Sequence, residues 1–289
     1  MNPVPSPATV SPRTRTALFT LVGLCVSAAG LSRSFAETEL RWRVLQPGVE
    51  YAVVDPHVSR SLEIDGHIHV VRVDPALAPL QAFMAGTLDG RARPAAEWCR
   101  EQGLAVAINL GMYREDGRTN SGYARAGRYV NNRRWVNKYK TALAFGPTKA
   151  SAPAAVMADL DDAHERERLA EYETVVQNLR LIRAPGRGVW PEQDRRWSEA
   201  AVALDKAGRV LLIFSRYPHS MKELNDILLS LPLEITAAMH VEGGPAASLS
   251  IHVGGVDLDL NGSYETDSNE TDDEHQQWPI PNVLGVRRH

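Results

Sequence analysis

The side chains best placed for chemistry lie in the stretch His240-Val241-Glu242-Gly243-Gly244-Pro245-Ala246-Ala247-Ser248. It follows an apolar, β-prone run, Ile235-Thr236-Ala237-Ala238-Met239. Two glycines let the backbone turn sharply and let another molecule approach closely, and Pro245 fixes the exit. Glu242 is thereby presented at the end of a buried strand, beside open backbone N–H groups. An open α/β sheet keeps its ligand site at such a strand exit. The same residues also describe a plain strand-exit turn with a solvated glutamate.

Two further stretches carry polar chemistry. Leu104–Asn109 (LAVAIN) is an almost wholly apolar strand ending in an amide, followed by Leu110-Gly111-Met112-Tyr113. A buried amide must find partners, so Asn109 either ties a turn or faces a ligand. Arg125–Lys140 sets Arg125, Arg128, Arg133, Arg134, Lys138 and Lys140 among Tyr129, Trp135 and Tyr139. Basic and aromatic groups together suit a phosphate beside a sugar or base. They equally suit strand edges kept soluble by charge.

Other reactive side chains give less. Cys99 has no neighbouring base and reads as a buried filler. His67 and His69 share one strand face but lack the acid or thiol spacing of a metal site. Asp267, Asn269, Thr271 and Asp273 imitate alternate oxygens of a calcium loop, yet Asp272 stands where glycine is needed, so a solvated acidic loop is expected. No metal and no cofactor are expected.

These groups need strands and a few helices to hold them. Gly48–Asp55 and His67–Pro75 read as a meander around Asp65-Gly66. Pro94–Gln102 reads as a helix stopped by Gly103. Thr141–Phe145 is a further strand. Asp159–Glu173 is dense in charge and is read as surface without a helix. Ala200–Leu204 and Arg209–Ser215 form a hairpin about Asp205-Lys206-Ala207-Gly208. Ser220-Met221-Lys222-Glu223 is a capping box, and Met221, Leu224, Ile227, Leu228 and Leu231 follow at helical spacing. Strand, capped helix and strand from Arg209 to Val241 then imply a parallel, right-handed crossover. That places Ser215 and Glu242 at one sheet edge, joined by Asn109 if its strand is parallel to these. The expected fold is α/β (α+β mixed), a single domain with a mixed central β-sheet and a few flanking helices.

The chain has 289 residues, 44% hydrophobic and 23% charged, ordinary for a globular protein. Arg13 and Arg15 precede the apolar run Ala17–Leu31, and Ser34-Phe35-Ala36 offers small residues to a signal peptidase. Residues 1–36 are therefore expected to be a signal peptide, leaving 37–289 as a periplasmic or secreted chain without stable membrane insertion. An uncleaved anchor is the alternative. Loss of Arg13, Arg15 and Arg33 takes the formal net charge from −3 to −6, which argues against a nucleic-acid partner. Only Cys99 then remains, so no internal disulfide can form.

In order, Asn109-Leu110-Gly111-Met112-Tyr113, Gly122-Tyr123, Gln177-Asn178-Leu179, Ala200-Ala201-Val202-Ala203-Leu204 and Glu242-Gly243-Gly244-Pro245-Ala246-Ala247-Ser248-Leu249 resemble the phosphodiester glycosidase family. The resemblance runs from about Gly48 to Val286. It implies a mixed α/β domain and hydrolysis of a sugar 1-phosphodiester, such as an N-acetylglucosamine 1-phosphodiester, within a phosphorylated glycan. Family patterns fall on Asn109, Gly111 and Met112, and on Glu242, Gly243, Gly244, Ala247 and Ser248, with Glu242 in place of aspartate. A third pattern begins at Glu199, where the family has arginine. Such chemistry needs an acid or base, a cation for the phosphodiester, and groups that orient the sugar. Glu242 is expected to be the acid or base, Arg196 or Lys138 the cation, with Arg195 another substitute for the family's arginine, and Asn109, Gln177 and Ser248 the orienting groups. Glu242, Asn109 and Arg196 are thus the expected catalytic residues, and Gly243, Gly244, Ser248, Gln177, Lys138 and Tyr113 the expected substrate-binding ones. A non-catalytic member of the same fold, binding a glycan or a protein, is the alternative.

Overall fold

The computed structural model describes residues 40–56 and 62–289. The expected signal peptide lies outside the described residues. Three sheets make up the frame. The first has eight strands in the order Arg43–Gln46, Val49–Val54, Ile68–Val73, Val210–His219, Trp197–Asp205, Ile235–Gly243, Arg180–Arg183 and Arg187–Gly188. The second has five, Val256–Asn261, Ser248–Val253, Leu104–Asn109, Asn282–Arg287 and Leu80–Met84. The third has Tyr129–Asn132, Ala124–Ala126, Tyr172–Asn178, Thr141–Pro147 and Ala155–Asp159.

All three sheets turn one face to a common core. Val71, Val202, Leu212, Met239 and Val241 enter it from the first sheet, Val106, Ile108, Leu249 and Ile251 from the second, and Leu143, Phe145 and Val176 from the third. Alternate residues of the first sheet, including Ile213, Ala201 and Ala238, face the other way and are covered by Met221, Leu224, Ile227 and Leu228 of the helix Met221–Ser230. Helix Ala95–Gln102 covers the outer face of the second sheet through Trp98 and Cys99. Both faces of Leu104–Asn109 are thus dry, which is why its sequence is apolar at nearly every position.

Local signals behave as their chemistry requires. Gly103 takes the left-handed conformation (φ 64°) that closes helix Ala95–Gln102. The Asp205 carboxylate accepts from the N–H groups of Ala207 and Arg209, both at 2.9 Å, and forms the hairpin turn with Gly208 at φ 79°. The capping box is complete: Ser220 Oγ accepts from Glu223 N at 3.2 Å, and Glu223 returns the contact to Ser220 N at 3.0 Å.

The class differs from the α/β expectation. Every ladder between named strands is antiparallel, and strands far outnumber helices. Val210–His219 and Ile235–Gly243 do run in the same direction, but Trp197–Asp205 lies between them and pairs antiparallel with both. The hairpin keeps its own partner, and the capped helix steps across two strand widths, about 10 Å. Asp159–Glu173 also differs, since it contains the helix Ala163–Arg168. That helix has no buried residue, so it leaves no periodic trace, and it is set by Asp162 accepting from His164 N and Glu165 N. Asn109 belongs to the second sheet and not to the edge that carries Glu242.

Candidate active site

Ser215 and Gly243 sit on either side of Glu199 in the first sheet. One extra residue is inserted in the strand Ile235–Gly243 here, because Ala200 pairs with Glu242 while Ala201 pairs with His240. Such a bulge re-aims side chains at a sheet edge. Met239 and Val241 go to the common core. His240 and Glu242 project to the opposite face, just beyond the cover of helix Met221–Ser230, and open on a cavity of about 240 Å³. Met112, Leu179, Arg195, Trp197, Gly243 and Glu265 complete its lining.

Glu242 is 8% exposed. Its Oε1 accepts from Gly243 N at 3.2 Å. Burial pushes its carboxyl up to about 7, against the opposing pull of His240 and of the Gly243 N–H. It therefore exchanges protons near neutral pH. Its charge reaches Tyr113, whose phenol is pushed up to about 12, first by burial and then by Glu242. Tyr139 is also raised by burial, with Glu242 adding to the shift and Ser121 opposing it.

The glycines are explained by close approach. A Cβ on Gly243 would stand 2.7 Å from Trp197 Cδ1. Gly244 adopts φ +61°, and a Cβ there would lie 2.7 Å from a Glu265 carboxylate oxygen. Neither site accepts a side chain without movement of the cavity wall.

Several expected site residues have other occupations. Asn109 is 1% exposed; its Nδ2 donates to Ala246 O at 2.9 Å and its Oδ1 accepts from Ser248 N at 2.7 Å. It does not share a cavity with Glu242; it holds the turn that follows Gly244. Ser248 Oγ donates to Ala246 O at 3.1 Å within that turn. Gln177 uses both ends of its amide on backbone. Oε1 accepts from Val136 N (2.9 Å) and Tyr123 N (3.2 Å), and Nε2 donates to Val136 O and Tyr139 O (both 2.8 Å). Lys138 is exposed and lines the neighbouring cavity of about 280 Å³, which meets the first at Leu179.

Arg196 is the clearest correction. Its guanidinium grips the capping-box Glu223 at 2.5 and 2.6 Å and does not line the Glu242 cavity. The side chain that does is Arg195, exposed at the rim and 3.6 Å from Asp267. These two neighbours lie just before the strand Trp197–Asp205, and their side chains take different partners, Asp267 for Arg195 and Glu223 for Arg196. Arg196→Ala should therefore cost about 1 kcal/mol of stability, as expected for a half-exposed ion pair. It should leave turnover within twofold, measured by urea unfolding beside kcat; a larger loss of kcat would return Arg196 to the site.

Sequence reasoning missed Glu199, His240, Trp197 and Glu265. Glu199 is 2% exposed and His240 3%, and His240 Nδ1 lies 2.6 Å from Glu199 Oε1. Trp197 Nε1 donates to Glu199 Oε2 at 2.7 Å and packs edge-on to the His240 ring. The two-residue spacing of His240 and Glu242 is visible in the sequence; the register that brings Glu199 to them is not. Among the described residues no group of three or more His, Cys, Asp or Glu side chains is set to hold a metal ion.

A buried carboxyl that trades protons near neutral pH, with a cavity and an indole wall beside it, is equipment for acid–base work on a small ligand. The chain belongs to the phosphodiester glycosidase family, whose model matches residues 102–287, and the family is one of hydrolases. Its fold is similar to that of the catalytic domain of zebrafish N-acetylglucosamine-1-phosphodiester alpha-N-acetylglucosaminidase, auto-inhibited by its pro-peptide. That match has a TM-score of 0.58 and 14% identity, over 87% of this chain and 88% of that one. A hypothetical protein from Synechocystis is also similar, with a TM-score of 0.59 and 16% identity, over 84% of this chain and 64% of that one. At these identities the likeness is one of fold. No curated protein sequence matches the chain significantly.

Proposed function

We propose that the protein is an exported glycosidase that hydrolyses a sugar 1-phosphodiester, of the N-acetylglucosamine 1-phosphodiester kind, in phosphorylated envelope glycans. Residues 37–289 form the mature, phosphodiester glycosidase-like chain in this reading. Among the described residues no helix is long and apolar enough to cross a membrane. The observation that carries the proposal is Glu242, buried at a strand exit with its carboxyl raised to about 7 and open to a cavity. Trp197 offers an apolar face for a sugar ring, and Arg195 at the rim offers a charge for the phosphodiester.

Mature protein incubated with UDP-N-acetylglucosamine and a panel of aryl sugar phosphodiesters, from pH 5 to 9, should release free sugar from at least one. No release from any of them would overturn the reading. Binding without cleavage would then be the function. Glu199, standing where the family pattern has arginine, is the observation that favours that second reading.

A further inference from the structure

We infer that His240, held by Glu199, is the cationic group that meets the substrate's phosphate in this cavity. The inference rests on the proposed hydrolysis of a sugar phosphodiester. It assigns the charge-neutralising role to a residue on a different strand from the family's arginine position.

Geometry carries the argument. The strand Ile235–Gly243 lies beside Trp197–Asp205, and the bulge at Val241 brings His240 and Glu242 out on the side where Glu199 also projects. Glu199 has no freedom left: one oxygen meets His240 Nδ1 at 2.6 Å and the other takes Trp197 Nε1 at 2.7 Å. A carboxylate fixed in this way holds the imidazole in one orientation, with its Nδ1–H turned inward. The other nitrogen, Nε2, has no hydrogen-bond partner among the described residues, and the ring lines the cavity. A protonated His240 therefore offers one N–H donor to a bound anion, with the charge already built in.

The surroundings favour a proton on this pair: burial raises Glu199, and the charge of Glu199 raises His240. Burial works against a charge on His240. The charge and hydrogen bond of Glu199 oppose this, joined by the charges of Glu242 and Glu265, and the net direction is up from the ordinary histidine value. Arg195, the other cation lining the cavity, is exposed and paired with Asp267, so it screens at the rim.

The division of labour then follows. Water adds to the anomeric carbon and gives its proton to the Glu242 carboxylate. The bond from that carbon to the phosphate oxygen breaks, and its electron pair stays on the oxygen. The departing phosphomonoester takes the Nε2 proton of His240. Glu242 releases its proton to solvent and His240 regains one, so free sugar and phosphomonoester are the only products.

Two measurements test the inference and separate it from the parent proposal. The first needs no turnover: the side-chain nitrogens of His240 are followed by NMR in mature wild type and in Glu199→Gln at pH 7.5. Both nitrogens should carry protons in wild type, and adding inorganic phosphate should shift the Nε2 signal. In Glu199→Gln the ring should be neutral and the phosphate response lost. A neutral His240 in wild type, or no response to phosphate, would overturn the inference even if the enzyme is active.

The second measurement is the pH profile with UDP-N-acetylglucosamine. Glu199→Gln should move the alkaline limb of kcat down by about one pH unit or more, roughly tenfold in rate at pH 8, because the proton leaves His240 sooner. Glu199→Asp should restore part of that change. A profile that merely drops in height, with its limbs unmoved, would give Glu199 a purely structural role and sink the inference. If wild type cleaves nothing but the NMR results hold, the hydrolase proposal fails and His240 remains an anion-binding group.

Discussion

Glu242→Gln should lower kcat by about 10²- to 10⁴-fold, the range that a positioned proton-transfer group contributes. It should also make the folded protein more stable at alkaline pH. The carboxyl is raised from its ordinary 4.5 to about 7 by burial, so the folded state favours the protonated form. The stability tied to that protonated form is fully present below about pH 4.5, where folded and unfolded chains both hold the proton. It is lost as pH rises through about 7, because the folded chain must then ionise a buried group. Glutamine has the same shape and no charge to bury. Above pH 8 the variant should gain up to about 3 kcal/mol over wild type, since each tenfold change in proton affinity corresponds to about 1.4 kcal/mol. At pH 5 the difference should be small. Urea unfolding at the two pH values, beside kcat, checks both halves. An inactive variant that is no more stable at pH 8 would mean that Glu242 is not held protonated by burial. A stabilised variant with intact kcat would remove Glu242 from the chemistry.

The second large effect is expected at Gln177, through structure and not through substrate contact. Its amide satisfies four backbone groups, the N–H of Tyr123, the N–H and C=O of Val136 and the C=O of Tyr139. Val136 and Tyr139 belong to the segment that joins the strand Tyr129–Asn132 to Thr141–Pro147 and that carries Tyr139 toward Glu242. Gln177→Ala leaves several buried groups without partners, at about 1–3 kcal/mol for each that water cannot reach. A loss of roughly 3–5 kcal/mol is expected from that sum, with KM for UDP-N-acetylglucosamine unchanged in the fraction that stays folded. Denaturant unfolding combined with active-fraction kinetics distinguishes the cases. A specific rise in KM with stability intact would restore Gln177 as a substrate ligand.

Much of the architecture was legible where one residue type leaves no choice. Leu104–Asn109 could only be a buried strand, the Ser220–Glu223 box could only open a helix, and Asp205–Gly208 could only turn a hairpin. The sheet arrangement was not legible, because periodicity reports which face is buried and not which strand lies beside it. For Arg209–Val241 the parallel direction and the shared edge of Ser215 and Glu242 were legible, but the strand Trp197–Asp205 lying between them was not. The site shows the same divide. Glu242-Gly243-Gly244 is visible as a motif. Glu199 becomes part of the site only through its register beside Gly243, and Glu265 only because a loop folds back against Gly244. Asn109 and Gln177 show the converse. A buried amide at a strand end signals an obligation to bond, and here both amides discharge it on backbone.

The strand order of the second sheet has a consequence for synthesis. Asn282–Arg287 lies between Leu104–Asn109 and Leu80–Met84, pairing with both. Two strands made early are therefore bridged by one made about 170 residues after Asn109, on the order of ten seconds or more of translation. Until it arrives, Leu104–Asn109 has a partner on one side only, the strand Ser248–Val253. Contacts so distant in sequence also make folding slow. For a chain proposed to leave its compartment of synthesis, that delay keeps it unfolded and threadable for longer.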